Sequence, residues 1–566
     1  MIKKVTILSF VLSVLCVGFV MAQPVPIVEP VRVDTTLYNG IYRGVQNQIY
    51  CDPTTGNLVV AWYRYNSTDP DPRKITAATS IDGGATWQIH EMLNFGVGPI
   101  MDARYASVCG ISTTPIVAYE DRNASVNKTR IPVVATDVAG WGGGAFVNYF
   151  IDDVGTADTV LHSSYLSIAV SPEDENIWGV GGWHTGEPGD GLYYYVTKDA
   201  GMTWSRPKVP ISEDTDDVGK SNYVFDFSSR GLGVGMGPNN TVMVSAGAKL
   251  LETDIWTNIY CFSDDLGQTW TAPAVIPGAE TLYNSDADNY RNFSSPMVDG
   301  AGNWHIFAVS YDTLESDGTF PVPYYGYDFR FDGSTWDVTK IAIPTLLPNG
   351  IAAWGDWPSD VEEYEMNEPA IGPDGTLYYA YFDVVDTTGA MGDEANFNYN
   401  IMVIYSDDNG STWHGPVSVL DQWSGHAPNG MAKYATDKLH ILYRHHTEDA
   451  DMGMYLGVPT DTVKARATRV KENVTTLTPE SFQLHQNYPN PFNPTTSITF
   501  DLTERAHVTL KVFNEMGQEV ATVIDKPMDA GFKGVTWNAA NLPSGVYFYQ
   551  LTAGSMTQSK RMVLMK

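Results

Sequence analysis

Strand-like runs recur through the middle of the chain at a steady interval. Each is a short apolar or alternating stretch preceded by turn residues: Asn57–Tyr65, Thr114–Tyr119, Ile177–Trp183, Thr241–Gly247, Trp304–Tyr311, Thr376–Phe382 and Lys438–Tyr443. A period-two pattern bounded by Gly, Asn, Asp and Pro is that of β-strands joined by tight turns. Successive centres lie about 63 residues apart, a repeat length at which each unit buries its faces against its neighbours. Seven such units fill 23–458; six remain the alternative if the weak second unit is an insertion. The seventh has no obvious fourth strand, and Val25–Val33, ahead of the first unit, is expected to supply it. Closing the ring in this way leaves no exposed sheet edge.

A loop motif falls between these runs. Its four full copies run from Ser80 to Trp87, Thr197 to Trp204, Ser263 to Trp270 and Ser406 to Trp413. Their shared positions are Asp82, Gly84 and Trp87; Asp199, Gly201 and Trp204; Asp265, Gly267 and Trp270; and Asp408, Gly410 and Trp413. Worn copies stand at Thr136–Trp141 and Asp332–Trp336. The Asp can accept loop amide protons as an Asx turn does, the Gly supplies a positive φ, and the Trp fills the gap between sheets. The motif resembles the Asp-box, or BNR repeat, of sialidases. That resemblance implies an all-β fold, a seven-bladed (alternatively six-bladed) sialidase-like β-propeller. In that family the boxes lie on the rim, away from the active centre, so they speak to fold more than to catalysis.

The two ends differ from the body. Lys3 and Lys4 precede an apolar run to Val20 with Ala22 at its end, the layout of a secretory signal peptide over 1–22. No later stretch is long and apolar enough for a membrane helix. At the other end, 481–566 alternates over Ile498–Leu502, Val508–Phe513 and Gly545–Leu551, beyond a linker at 459–480. Tyr488-Pro489-Asn490-Pro491-Phe492-Asn493-Pro494, Gly517-Gln518-Glu519-Val520, Leu542-Pro543-Ser544-Gly545-Val546-Tyr547 and a basic ending at Lys560–Lys566 follow in order. This segment resembles the type A C-terminal sorting domain of the bacterial type IX secretion system. The resemblance implies an immunoglobulin-like β-sandwich, the secretion machinery as partner, and passage through the periplasm of a Gram-negative-type bacterium to the medium or cell surface.

Composition narrows the function classes. Hydrophobic residues make up 43 % and aromatics 12 %, enough for a large core. The net charge is −32, and the body 23–458 alone carries −36. A surface so acidic excludes nucleic acid as a partner and favours neutral or cationic ligands. Cleavage of the leader leaves Cys51, Cys109 and Cys261, too few for a disulfide framework; three buried thiols are expected over a Cys51–Cys109 bridge. No cofactor is implied, although oxygen-rich loops such as Asp286 and Asp288 are candidates for calcium.

Propeller ligands bind where the innermost strands begin. The residues expected at that opening are Arg43, Arg104, His162, Arg230, Arg291, Glu368 and His426. Arginines converging on one point suit a carboxylate, which guanidinium binds bidentately. The sialidase resemblance implies an arginine triad, a tyrosine nucleophile with its glutamate, and an aspartate acid/base. Glu368 and Tyr443 are the catalytic candidates here, but the Arg130-Ile131-Pro132 triplet follows the first box where the family has it before. The leading expectation is therefore a propeller that binds extracellular glycan or protein ligands. The alternative is an exo-sialidase-like or other glycoside hydrolase.

Overall fold

The structure is a computed structural model that describes residues 28–566 except 35–46, 65–73, 92, 94–102, 124–127, 152–162, 185–190, 207, 213–222, 225–231, 251–255, 280–293, 312–323, 343–367, 387–397, 421–425, 447–450 and 469–474. The signal-peptide reading of 1–22 lies outside them.

Each repeat folds as a meander, because short turns return every alternating run onto its predecessor. In the first, Ile49–Cys51, Leu58–Arg64, Lys74–Ser80 and Gln88–His90 pair in chain order, all antiparallel. Further sheets of this kind span 104–150, 163–212, 223–275, 297–342, 368–418 and 426–459, so that seven are present among the described residues. Both faces of each sheet are apolar, and each is covered by a neighbour. Val59 and Ile75 of the first sheet share a core with Val108 and Val117 of the second. Val134 of the second meets Trp178 of the third, and Tyr194 of the third meets Val244 of the fourth. Tyr260 packs with Ile306, Phe307 with Tyr379, and Val403 with Ile441. The last sheet returns to the first through Leu442 and Tyr455 against Ile49 and Val60. The result is a closed ring of sheets, a β-propeller. Its last sheet takes only three strands from 426–459, and Val31–Asp34 completes it by pairing with Asp451–Pro459.

The four full motif loops share one geometry. In the first, Thr86 N–H and Oγ1 donate to Asp82 at 2.9 and 2.5 Å, Ser80 Oγ donates to the same carboxylate at 2.8 Å, and Gly84 N–H donates to Ser80 Oγ. Asp199, Asp265 and Asp408 repeat it with Thr203, Thr269 and Thr412. Hydrogen bonds from Thr86 and Thr203 hold the Asp82 and Asp199 carboxyls below their usual range. Three of the loops also clasp the preceding sheet. Trp87 packs on Tyr455, Trp270 on Tyr194 and Trp413 on Phe307. Gly84, with φ of +90°, lies flat against the Tyr455 ring, leaving no room for a side chain.

Two segments depart from a simple reading of the sequence. Residues 459–480, expected as a linker, carry a helix, Thr460–Ala467, whose Val463 and Ala467 are buried in the core between the sixth and seventh sheets. Lys464 Nζ ties it to Asp374 at 2.8 Å. The strand Thr475–Leu477 then pairs with Trp336–Ala342, the outer strand of the fifth sheet. Beyond it, 483–564 form a sandwich of two sheets around one core that includes Phe500, Leu510, Tyr549 and Leu551. Its strand Gly531–Asn538 also pairs with Trp336–Ala342, so one sheet of eight strands runs from propeller to sandwich. Cys51, Cys109 and Cys261 are free and buried.

A buried ionic cluster lies in the fifth sheet. His305 Nδ1 is 2.9 Å from Asp328 Oδ1, and Nε2 is 3.3 Å from Asp299 Oδ2. Burial opposes a charge on His305, but the two carboxylates outweigh it and raise its pKa to about 9.

Two predictions follow from these contacts. Gly84→Val must displace Tyr455 and strain a positive φ, so it should cost on the order of 3 kcal/mol in denaturant unfolding, against about 1 kcal/mol for Asp82→Ala. The contribution of His305 is complete below its ordinary value of 6.5 and is lost as pH rises through about 9. The melting temperature should therefore fall between pH 7 and 9.5, and His305→Gln should flatten that profile.

Candidate functional site

The innermost strands all run from one mouth of the ring towards the other. They are Ile49–Cys51, Arg104–Ile111, Ser163–Val170, Gly233–Met236, Met297–Val298, Glu368–Ile371 and His426–Met431. Arg104, Glu368 and His426 are the first residues of their strands, so the backbone sets all three at the starting mouth. Only their backbones are described. Arg43, His162, Arg230 and Arg291 fall in the segments 35–46, 152–162, 225–231 and 280–293, which lead into the other innermost strands and lie outside the described residues. Asp286 and Asp288 lie outside them as well.

Tyr443 stands elsewhere. It belongs to Lys438–His446, the second strand of its sheet, and is fully buried in the core between the sixth and seventh sheets. Burial pushes its phenol pKa up, opposite to what a tyrosine nucleophile needs. The Arg130-Ile131-Pro132 triplet lies on Lys128–Asp137, the third strand of the second sheet, where Ile131 and Pro132 are buried. Among the described residues no cluster of three or more His, Cys, Asp or Glu is placed to hold a metal.

The opposite mouth contains a cavity of about 250 Å³, which the sequence did not reveal. Ile49, Val108, Ile168, Met236 and Met297 give it an apolar wall, and Tyr50, Lys433 and Asn47 add polar groups. Lys433 Nζ crosses the channel to the Pro296 carbonyl at 3.3 Å. Asn47, at φ +63°, donates from Nδ2 to the Ile168 carbonyl, while its buried Oδ1 has no hydrogen-bond partner among the described residues. Around this end the innermost strands are stapled to one another. Val108 N–H donates to Asn47 O, Ile168 N–H to Ser107 Oγ and Val234 N–H to Ser167 Oγ. Superposing the units at their first strands, where Asn47, Ser107 and Ser167 recur, is the signal that could have located this ring.

Comparison with known proteins adds to this picture mainly at the C-terminus. No curated protein matches the chain. Among solved structures, a polysaccharide lyase described as PL25 ulvan lyase is 12 % identical, covers 77 % of this chain and 99 % of its own, and superposes with a TM-score of 0.46. PorZ, a surface component of the type-IX secretion system of Porphyromonas gingivalis, is 12 % identical over 90 % of this chain and 69 % of its own, with a TM-score of 0.31. A Trypanosoma rangeli sialidase mutant is 10 % identical over 95 % and 89 %, with a TM-score of 0.40. Likenesses this distant say nothing about the site, and the propeller assignment rests on the sheets themselves. No described helix is long and apolar enough to cross a membrane. Residues 486–565 match the secretion system C-terminal sorting domain, and the chain is accordingly one exported by type IX secretion to the cell surface or the medium.

Proposed function

We propose that the exported chain is a seven-bladed propeller that binds glycan or protein ligands outside the cell at the mouth where its innermost strands begin. The observation that carries this reading is the common position of Arg104, Glu368 and His426, each opening the innermost strand of its own sheet. These residue types can supply guanidinium and imidazole donors and a carboxylate acceptor, a set that suits hydroxyl-rich or peptide ligands. The charge of −36 over 23–458 favours neutral or cationic ligands over polyanions.

Hydrolysis of glycosides has less support. It requires a reactive pair at the same mouth, and Tyr443 is enclosed in the core between two sheets. Calcium held by the Asp286 and Asp288 loop is a smaller proposal of the same kind, tested by the effect of chelator on the melting temperature.

The purified full chain should bind members of a neutral glycan or peptide array, and Arg104→Ala combined with His426→Ala should weaken that binding at least about tenfold. A fluorogenic sialoside should remain intact. Turnover that disappears in Glu368→Gln would replace the binding reading with hydrolysis, and absence of any ligand sensitive to the double substitution would end it.

A further inference from the structure

The sorting sandwich presents two sheets; the propeller pairs with one of them and reaches the edge of the other through Lys526, which bonds Asp332. Gly531–Asn538 is paired along its edge with Trp336–Ala342, in the register Trp336 opposite Gly534, Asp337 opposite Lys533 and Val338 opposite Phe532. Asp337 takes the buried Lys533 at 2.8 Å and also holds Arg330. Ser497 Oγ, on the strand next to it, donates to the Val275 carbonyl at 2.9 Å, and Tyr260 Oη lies 2.9 Å from Thr536 Oγ1. Gly534 lies so close to Pro277 that no side chain would fit. This sheet is therefore committed to the body of the chain.

The second sheet, of Ala506–Asn514, Glu519–Met528, Gly545–Ala553 and Met556–Leu564, differs. Its inward positions Leu510, Val512, Tyr547, Tyr549, Leu551 and Met562 form the sandwich core. By alternation Phe513, Phe548 and Arg561 point outward, and pairing places them in one row across three strands. Val546 and Val563, paired two residues along on the same face, extend the apolar area. Phe548 is 41 % exposed, and the Arg561 side chain is open to solvent. An aromatic residue exposed on the outer face of a sheet, with further apolar side chains around it, offers a surface for a contact. The adjacent edge strand, Met556–Leu564, carries Lys560 on its inward side, an arrangement that discourages the addition of another strand. A partner is thus directed to the face of the sheet and away from its edge.

We propose that the secretion apparatus reads this chain on the outer face formed by Phe513, Phe548 and Arg561, through a protein surface that offers an apolar pocket and a neighbouring carboxylate. The proposal rests on the sorting role of 486–565, and the apparatus is the occupant because that segment matches a domain whose described role is sorting by a secretion system. A carboxylate is the chemistry Arg561 binds best.

The test is export of the full chain carrying Phe548→Ser, or separately Arg561→Glu, in cells with a type IX apparatus. Each variant should lower the exported fraction at least about tenfold, the scale of losing one anchor residue. The melting temperature of the retained chain should match that of the unaltered protein. Arg561 is exposed, so its variant separates recognition from folding if Phe548→Ser proves unstable. Normal export of Arg561→Glu, while a chain lacking 486–566 stays in the periplasm, would overturn the assigned face. Normal export of the truncated chain as well would overturn the sorting role itself.

Discussion

Closure of the ring is the constraint on which the rest of the molecule depends. Each sheet is apolar on both faces, and its burial is complete only when a sheet stands on either side. The last junction is made by Tyr455 of Asp451–Pro459. Its ring packs on Trp87 and fits against Gly84, and its hydroxyl donates to the Gly83 carbonyl at 3.1 Å and meets His440 Nδ1 at 2.7 Å. Burial keeps His440 neutral, with its pKa lowered to about 4. The added strand Val31–Asp34 covers the outer edge of the same sheet. The channel and both of its mouths exist only because this seam is shut.

The fifth repeat, whose loop is one of the two worn copies, has an additional task. In the full loops the Asp is satisfied by the local Ser or Thr hydroxyls and amides. In the worn loop Asp332 also accepts Lys526 of the sandwich at 2.8 Å, and the neighbouring Asp337 accepts Lys533. Asp332 still accepts the local Ser334 and Thr335 donors and Asp337 also holds Arg330, so these two carboxylates serve their own sheet and the sorting segment together. Export signal and cargo thereby share one continuous sheet.

Much of this was readable along the chain. The interval of about 63 residues and the Asp-Gly-Thr-Trp loops are patterns among near neighbours, and they produce the sheets and the clasps at Trp87, Trp270 and Trp413. The missing strand of the last unit pointed to a replacement within Val25–Val33, and in the structure Val31–Asp34 pairs with the last sheet. The helix Thr460–Ala467 was not readable, because it buries only Val463 and Ala467 and has no long apolar stripe. The cavity at the far mouth was equally hidden, since Asn47 and Lys433 stand 386 positions apart and meet only in the closed ring.

By itself the sequence determined the repeated meander, the identity of the rim loops, the address at the C-terminus and the acidity of the body. These follow from local alternation, turn chemistry and charge, which need no distant partner. Only the tertiary structure decided that Trp336–Ala342 receives the tail, that His305 is held between two carboxylates, and that Tyr443 is enclosed where Arg104 opens a strand. Such outcomes depend on which edges and side chains the curvature of the ring brings together, and no local pattern records that curvature.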